Sequence, residues 1–183
     1  VDMQNIKEGI KEQPGKNFFL KKGKTIISVG RLEKQKNYDI LLKVVAILKN
    51  KQDIKFYILG EGEEKQRLVN MVKKMKITKY VSFLGMVKNP YTYIAHADVF
   101  VLTSKFEGLP NVILEAFACN TPVITTNFTG VSEFITNKEN GIITQNNPLS
   151  IAKEILLLLQ NKRMVKKLTH HAKNTVKQFA IKK

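Results

Sequence analysis

The chain has 183 residues, 43% of them hydrophobic, with 31 Lys and Arg against 15 Asp and Glu, a net charge of +16. That length suits one domain that buries roughly two-thirds of its unfolded surface, and no run of about 18 apolar residues is present to cross a membrane. The single cysteine, Cys119, excludes an internal disulfide and points to a reducing compartment, hence a cytoplasmic protein.

In chain order, residues 1–24 are polar and lysine-rich and read as a lead-in or linker with one turn of helix; residues 25–183 form the domain. No signal peptide is expected, and a start at Val1 suggests a fragment or an engineered terminus. Thr25 to Val29 is a strand ending at Gly30, and Asn37 caps a helix whose Leu41, Leu42, Val45 and Leu48 recur at helical spacing. Phe56 to Leu59 is the next strand, followed by the turn Gly60-Glu61-Gly62 and a helix with Leu68, Val72 and Met75 inward. Its lysines and Arg67 fall on other faces, where solvation accounts for them. Tyr80 to Leu84 is the third strand, and Asn89-Pro90 starts a short helix ending near Ala97.

Val99 to Leu102 has the β-branched and aromatic content of a buried strand. Gly108 and Pro110 break the chain after it, and a helix follows from Asn111 to Cys119, closed by Asn120 in the left-handed conformation. Val123 to Thr125 is a strand, Val131 to Thr136 a helical turn and Gly141 to Ile143 a final strand, before closing helices over Pro148 to Gln160 and Lys162 to Phe179. Strands apolar on both faces and alternating with helices predict a Rossmann-like three-layer α/β domain with a mostly parallel sheet. Ligands of such sheets bind beyond the carboxyl ends of the strands. Gly30-Arg31, Gly60-Glu61-Gly62, Gly85-Met86-Val87 and Ser104 to Asn111 all follow strands and so gather there.

The stretch from Ser104 to Cys119 is where chemistry is expected. A strand that turns sharply into a helix aims backbone N–H groups and about half a positive charge at whatever lies in front, which suits an anion. Glu107 and Glu115 flank the turn. In one continuous helix they would lie about 80° apart, but the break lets Glu107 fold over the helix N-terminus. Ionised carboxylates accept hydrogen bonds and sugars offer O–H donors, so a bound polyol fits both. Arg31 stands out because only three of the 31 cations are arginine, and its rigid fork matches phosphate oxygens. Cys119 reads as a small core residue, and His96, His170 and His171 as helix-surface or helix-end residues.

In order and spacing, Ser28-Val29-Gly30-Arg31-Leu32 with Gln35-Lys36-Asn37, Leu59-Gly60-Glu61-Gly62, Phe83-Leu84-Gly85, Asp98 to Leu102 and Glu107 through Glu115 resemble the nucleotide-sugar-binding half of the GT-B glycosyltransferases, specifically the retaining family 4, or group 1. The resemblance runs from about Ile26 to Phe179. It implies that Arg31 and Lys36 grip the donor diphosphate, that Glu107 contacts hydroxyls of the transferred sugar and Glu115 the ribose, and that backbone at Leu109, Pro110, Asn111 and Val112 wraps sugar and phosphate. Gly30 and Gly60 line the donor site, and Met86 and Val87 line the base. Without the resemblance, Lys36 reads as a surface lysine and Met86 and Val87 as loop packing.

The reaction so implied is transfer of a hexose or N-acetylhexosamine with retention, from a UDP-sugar or alternatively a GDP-sugar, to a lipid-linked or polysaccharide acceptor of the cell envelope. No metal or other cofactor is expected, since two cations and a helix end serve the diphosphate and no His and Asp cluster has ligand spacing. The family's N-terminal acceptor domain is absent from this length, so a partner chain or a missing segment would supply it, and the chain alone is expected to transfer poorly. The alternative is a basic, non-catalytic module that docks on an anionic membrane or a partner. Lysines spread along the chain without interleaved aromatics make nucleic acid the weaker partner. A dehydrogenase would need G-x-G-x-x-G after the first strand, which Gly30-Arg-Leu-Glu-Lys-Gln does not supply.

Overall fold

The structure is a computed structural model and describes residues 1–14, 23–51 and 53–179. Six strands, β1 (Lys24–Val29), β2 (Ile54–Leu59), β3 (Val81–Gly85), β4 (Val99–Leu102), β5 (Val123–Thr126) and β6 (Ile142–Thr144), form one sheet in the order β3-β2-β1-β4-β5-β6. Every neighbouring pair is parallel. From β1 the chain winds outward to β2 and β3, then returns to β4 on the other side of β1. The loops leaving β1 and β4 therefore diverge to opposite faces, and a crevice opens between them.

The helices are α1 (Met3–Gly9), α2 (Tyr38–Leu48), α3 (Lys65–Lys74), α4 (Pro90–Ala95), α5 (Asn111–Ala118), α6 (Pro148–Gln160) and α7 (Lys162–Phe179). Alternation of side chains along each strand divides the core in two. Ile26, Ile58, Val99, Val101 and Ile124 point one way, to Leu41, Leu42, Val45 and Leu48 of α2, Leu68 and Val72 of α3, and Ile151, Ile155 and Leu158 of α6. Ile27, Tyr57, Phe100, Leu102 and Val123 point the other way, to Ile94 of α4, Ile113, Leu114 and Phe117 of α5, and Val176 of α7. β4 and β5 have no exposed residue, as strands covered on both faces should not.

Three details depart from the sequence reading. The lead-in forms α1, capped by Asp2, and Ile6 is buried to 1% exposure against α4 and α5. Asn89 Nδ2 donates to the Gly9 carbonyl at 2.8 Å, and Thr92 Oγ1 to that of Glu12 at 2.7 Å. The rest of the lead-in, 15–22, lies outside the described residues. Asn37 does precede α2, but at φ 52° its side chain makes no cap bond and instead donates to Asn146 Oδ1 at 3.3 Å. The 3-10 turn Lys34–Lys36 ends there in the left-handed region, which turns the amide away from the helix. Asn120 takes the left-handed conformation expected of it, at φ 61°.

Arg67 is the third departure, because it is a clamp and not a solvated surface group. Its guanidinium donates to Asp39 Oδ2 of α2 at 2.9 Å and binds Glu64 at the head of α3. Arg67 holds the Asp39 carboxyl below its usual range. A carboxylate with a lowered pKa stabilises the fold above its unfolded value and loses that contribution as pH falls through the lowered one. Arg67→Ala is expected to cost about 1 kcal/mol, limited by solvent screening. Urea denaturation of the two proteins should give curves that converge in acid.

Candidate active site at the carboxyl ends of the strands

Loops after β1, β2 and β3 are stitched side by side. Gly30 N donates to Leu59 O at 3.0 Å, Leu32 N to Glu61 O at 2.9 Å and Gly60 N to Gly85 O at 2.8 Å. The fit leaves no room for side chains. A Cβ on Gly60, whose φ is +137°, would stand 2.0 Å from the Gly30 carbonyl oxygen, and one on Gly62 would stand 2.4 Å from that of Leu32.

The loop after β1 is also sewn across the crevice to the loop after β4. Thr103 Oγ1 donates to Lys36 O at 2.9 Å, Lys105 N to Gln35 O at 2.9 Å and Gln35 Nε2 to Phe106 O at 2.8 Å. This brings Lys36 Nζ within 2.7 Å of Glu107 Oε1, with the two side chains only 15% and 7% exposed. The same carboxylate oxygen accepts from Ser104 Oγ, and Ser104 is itself buried, its carbonyl accepting from Thr126 Oγ1 of β5 at 2.7 Å. Tyr38 packs behind, its hydroxyl donating to Gly30 O at 3.2 Å. Burial, reinforced by the charge of Glu107, drives its phenol far above the usual tyrosine range despite a hydrogen bond with Ser28. Thr103 and Tyr38 are the members that the sequence reading missed, and Ser104, which it placed in the candidate stretch, had no role assigned. The signal available was a Thr-Ser pair closing a wholly apolar strand with a glutamate three residues on.

Gly30 packs against the Lys36 stem, where an added Cβ would come within 3.2 Å of Cε, and the two remaining charged residues predicted have other partners. Arg31 is 75% exposed and pairs with Glu33 at 2.8 Å. Glu115, in the second turn of α5, faces Tyr91 of α4, with which it shares a hydrogen bond. Burial raises its carboxyl pKa, and the charge of the Val1 ammonium and then that bond partly offset the rise. Cys119, one turn on, is a core residue whose thiol is pushed up to about 12 by burial first and the charge of Glu115 second. Glu107 and Glu115 thus belong to separate networks. In the turn between them Pro110 is buried, Asn111 is exposed and Val112 is half-buried. A Cβ on Gly108 would meet nothing within 4 Å.

Val87 packs into the α4–α5 core layer, whereas Met86 beside it is 82% exposed. Met86, Phe106, Leu109 and Leu149 are the large apolar side chains more than half exposed among the described residues, and each follows a strand at the carboxyl end. A depression of about 220 Å³ beside the Arg67 clamp is lined by Asp39, Glu64 and Arg67 together with Lys34, Tyr38 and Lys105. Cations and the α5 N-terminus suit a polyanion, the carboxylates suit hydroxyl donors, and the exposed apolar groups suit flat ring faces. Among the described residues no group of three or more His, Cys, Asp or Glu is placed to hold a metal, and no helix is long and apolar enough to cross a membrane.

A model of the family described as Glycosyl transferases group 1 matches residues 9–175. An N-acetylgalactosamine-N,N'-diacetylbacillosaminyl-diphospho-undecaprenol 4-alpha-N-acetylgalactosaminyltransferase of Campylobacter jejuni is 34% identical over 98% of this chain and 48% of its own. The chain spans about half the length of the curated relatives it matches. Among solved structures, the C-terminal domain of a glycosyl transferase group 1 family protein (LpcC) from Francisella tularensis superposes with TM-score 0.81 over the full length of both chains at 23% identity, which shows a common fold. A TarM mutant of S. aureus, solved with UDP, Fondaparinux and alpha-GlcNAc-glycerol, superposes with TM-score 0.80 at 25% identity over 92% of this chain and 34% of its own.

Proposed function

This chain belongs to the group 1 glycosyl transferases, and we propose that it is the donor-binding half of a retaining enzyme. The enzyme would move a hexose or N-acetylhexosamine from a nucleoside diphosphate sugar, UDP-linked in preference to GDP-linked, to a lipid-linked or polysaccharide acceptor on the cytoplasmic side of the envelope. The observation that carries this reading is the buried Lys36–Glu107 pair at the switch point, beside the open N-terminus of α5. The Campylobacter jejuni relatives named for diphospho-undecaprenol acceptors support the acceptor class, and UDP in the TarM mutant supports the nucleotide. The acceptor would be held by sequence that this chain does not span.

As the sugar–oxygen bond breaks, negative charge grows on the departing diphosphate and positive charge on the ring. Lys36 and the α5 end are held in place before the donor arrives, so little reorganisation is needed to stabilise the diphosphate, and the exposed Arg31 would turn from Glu33 to join them. Lys36 would share its ammonium protons between Glu107 and a phosphate oxygen. Glu107, already held by Ser104, would turn its second oxygen to a sugar hydroxyl and set the ring's position. Glu115 would accept from the ribose.

Calorimetric titration with UDP, GDP and their sugars tests the proposal. Saturable binding to one nucleotide class, weakened in Arg31→Ala and Glu115→Ala, is expected; no binding to any of them would overturn it. Acid should also weaken the complex. Because burial raises the Glu115 carboxyl, protonation removes an acceptor at a pH above the ordinary glutamate range. The affinity of an intact nucleotide sugar should fall there, and the fall should be absent in Glu115→Gln.

A further inference from the structure

Helix α7 carries a cationic stripe that the donor site does not use. At about 100° per residue, Lys162, Arg163, Lys166, Lys167, Lys173 and Lys177 all fall within an arc of about 140°. All six are exposed and the helix holds no carboxylate. The opposite arc buries Leu168, Ala172 and Val176 in the domain. Among the described residues no ion pair engages any of the six cations; the carboxylate facing this helix, Glu139, lies 3.5 Å from His171, off the stripe. The stripe extends about 23 Å at 1.5 Å per residue. It starts at the amino end of the sheet and runs beside α5.

Its first turn borders a depression of about 310 Å³ lined in part by the apolar Ala97, Pro122 and Leu158 and by the unpaired Lys162 and Lys166. The carboxylate there, Asp98, is taken up by Lys24 Nζ and Thr25 N, both at 2.8 Å. A lining of lysines and apolar groups fits a phosphate headgroup with the start of its hydrocarbon. A polynucleotide would instead favour guanidinium forks and exposed rings for stacking, and the stripe has one arginine and one ring, the imidazole of His170.

We propose that α7 lies along an anionic lipid bilayer, its lysines against headgroup phosphates and the Lys162–Lys166 depression holding one of them. The apolar face of the helix is already spent inside the domain, so the attraction is electrostatic and decays within a Debye length. The surface deepens the reading of a lipid-linked acceptor and rests on it for its purpose, since it would keep the donor domain beside the membrane that carries that acceptor.

Vesicle flotation tests this with phosphatidylcholine alone and with phosphatidylglycerol added in about a one-to-two ratio. The chain is expected to float with the anionic vesicles and not the neutral ones, and to be released as salt rises from about 0.05 to about 0.5 M. K166E/K173E/K177E should bind about a hundredfold more weakly. The charge-matched K51E/K73E/K74E, altered at exposed lysines elsewhere, should bind nearly as the parent does. Should the first variant melt early, the same three positions changed to glutamine supply the comparison. Equal losses in both charge-reversed variants, no loss in the stripe variant, or tighter binding to an oligonucleotide at equal salt would each overturn the proposal. Titrating the stripe variant with a nucleotide sugar keeps failure of the donor reading separate.

Discussion

Replacing Lys36 by alanine is expected to weaken binding of the nucleotide sugar by about a hundredfold and to destabilise the fold by about 3 kcal/mol, both for one reason. The substitution leaves the Glu107 carboxylate, 7% exposed, without its cation in a place where water cannot replace it. It also removes the ammonium that would meet the diphosphate. The two losses separate in a double variant. Lys36→Met with Glu107→Gln removes both charges at similar volume, so the denaturation midpoint should return most of the way, because a buried ion pair contributes little net stability against a neutral replacement. Donor affinity should stay low. If the double variant regained affinity along with stability, Lys36 would be a structural residue and not a ligand of the diphosphate.

Gly60→Ala should be still harder on the fold, at about 3 kcal/mol or more. Its φ of +137° is one that an L side chain rarely adopts, and the new Cβ would overlap the Gly30 carbonyl oxygen at 2.0 Å. That oxygen is backbone and is held from the other side by Tyr38, so the β1 and β2 loops must separate and the donor site with them. Gly108→Ala makes the control, since nothing lies within 4 Å of its Cβ position, and its denaturation midpoint should scarcely move. A Gly60→Ala protein as stable as the parent would mean that the loops are looser than this packing requires.

The elements that could be read from sequence are those whose pattern is local. Val99 to Leu102 declares a buried strand through four apolar residues, and α6 begins and ends, and α7 begins, at the residues the sequence suggests. What escaped depends on tertiary contact. Helix α1 is short and polar, and the burial of Ile6 against α4 and α5, with the hydrogen bonds from Asn89 and Thr92, makes it part of the domain. Arg67 resembles any solvated helix residue until Asp39 of α2 is placed beside it. Within the site, Lys36 and Glu107 were identifiable singly as a cation and an acceptor, but 71 positions separate them, and their pairing follows from β1 lying next to β4. Helical spacing put Glu115 in the second turn of α5, yet nothing local shows that it faces Tyr91.

The central claim is one of place: a nucleotide sugar binds at the carboxyl ends of the strands, around Lys36 and Glu107. Amide NMR shifts of the isotope-labelled chain, followed during titration with the sugar nucleotide, test it directly. The account predicts saturable changes at Gly30 to Lys36, at Gly60, at Met86 and from Glu107 to Glu115, with Lys51, Lys79 and α7 undisturbed. Changes confined to the amino end of the sheet, or none with any UDP- or GDP-linked sugar, would contradict it.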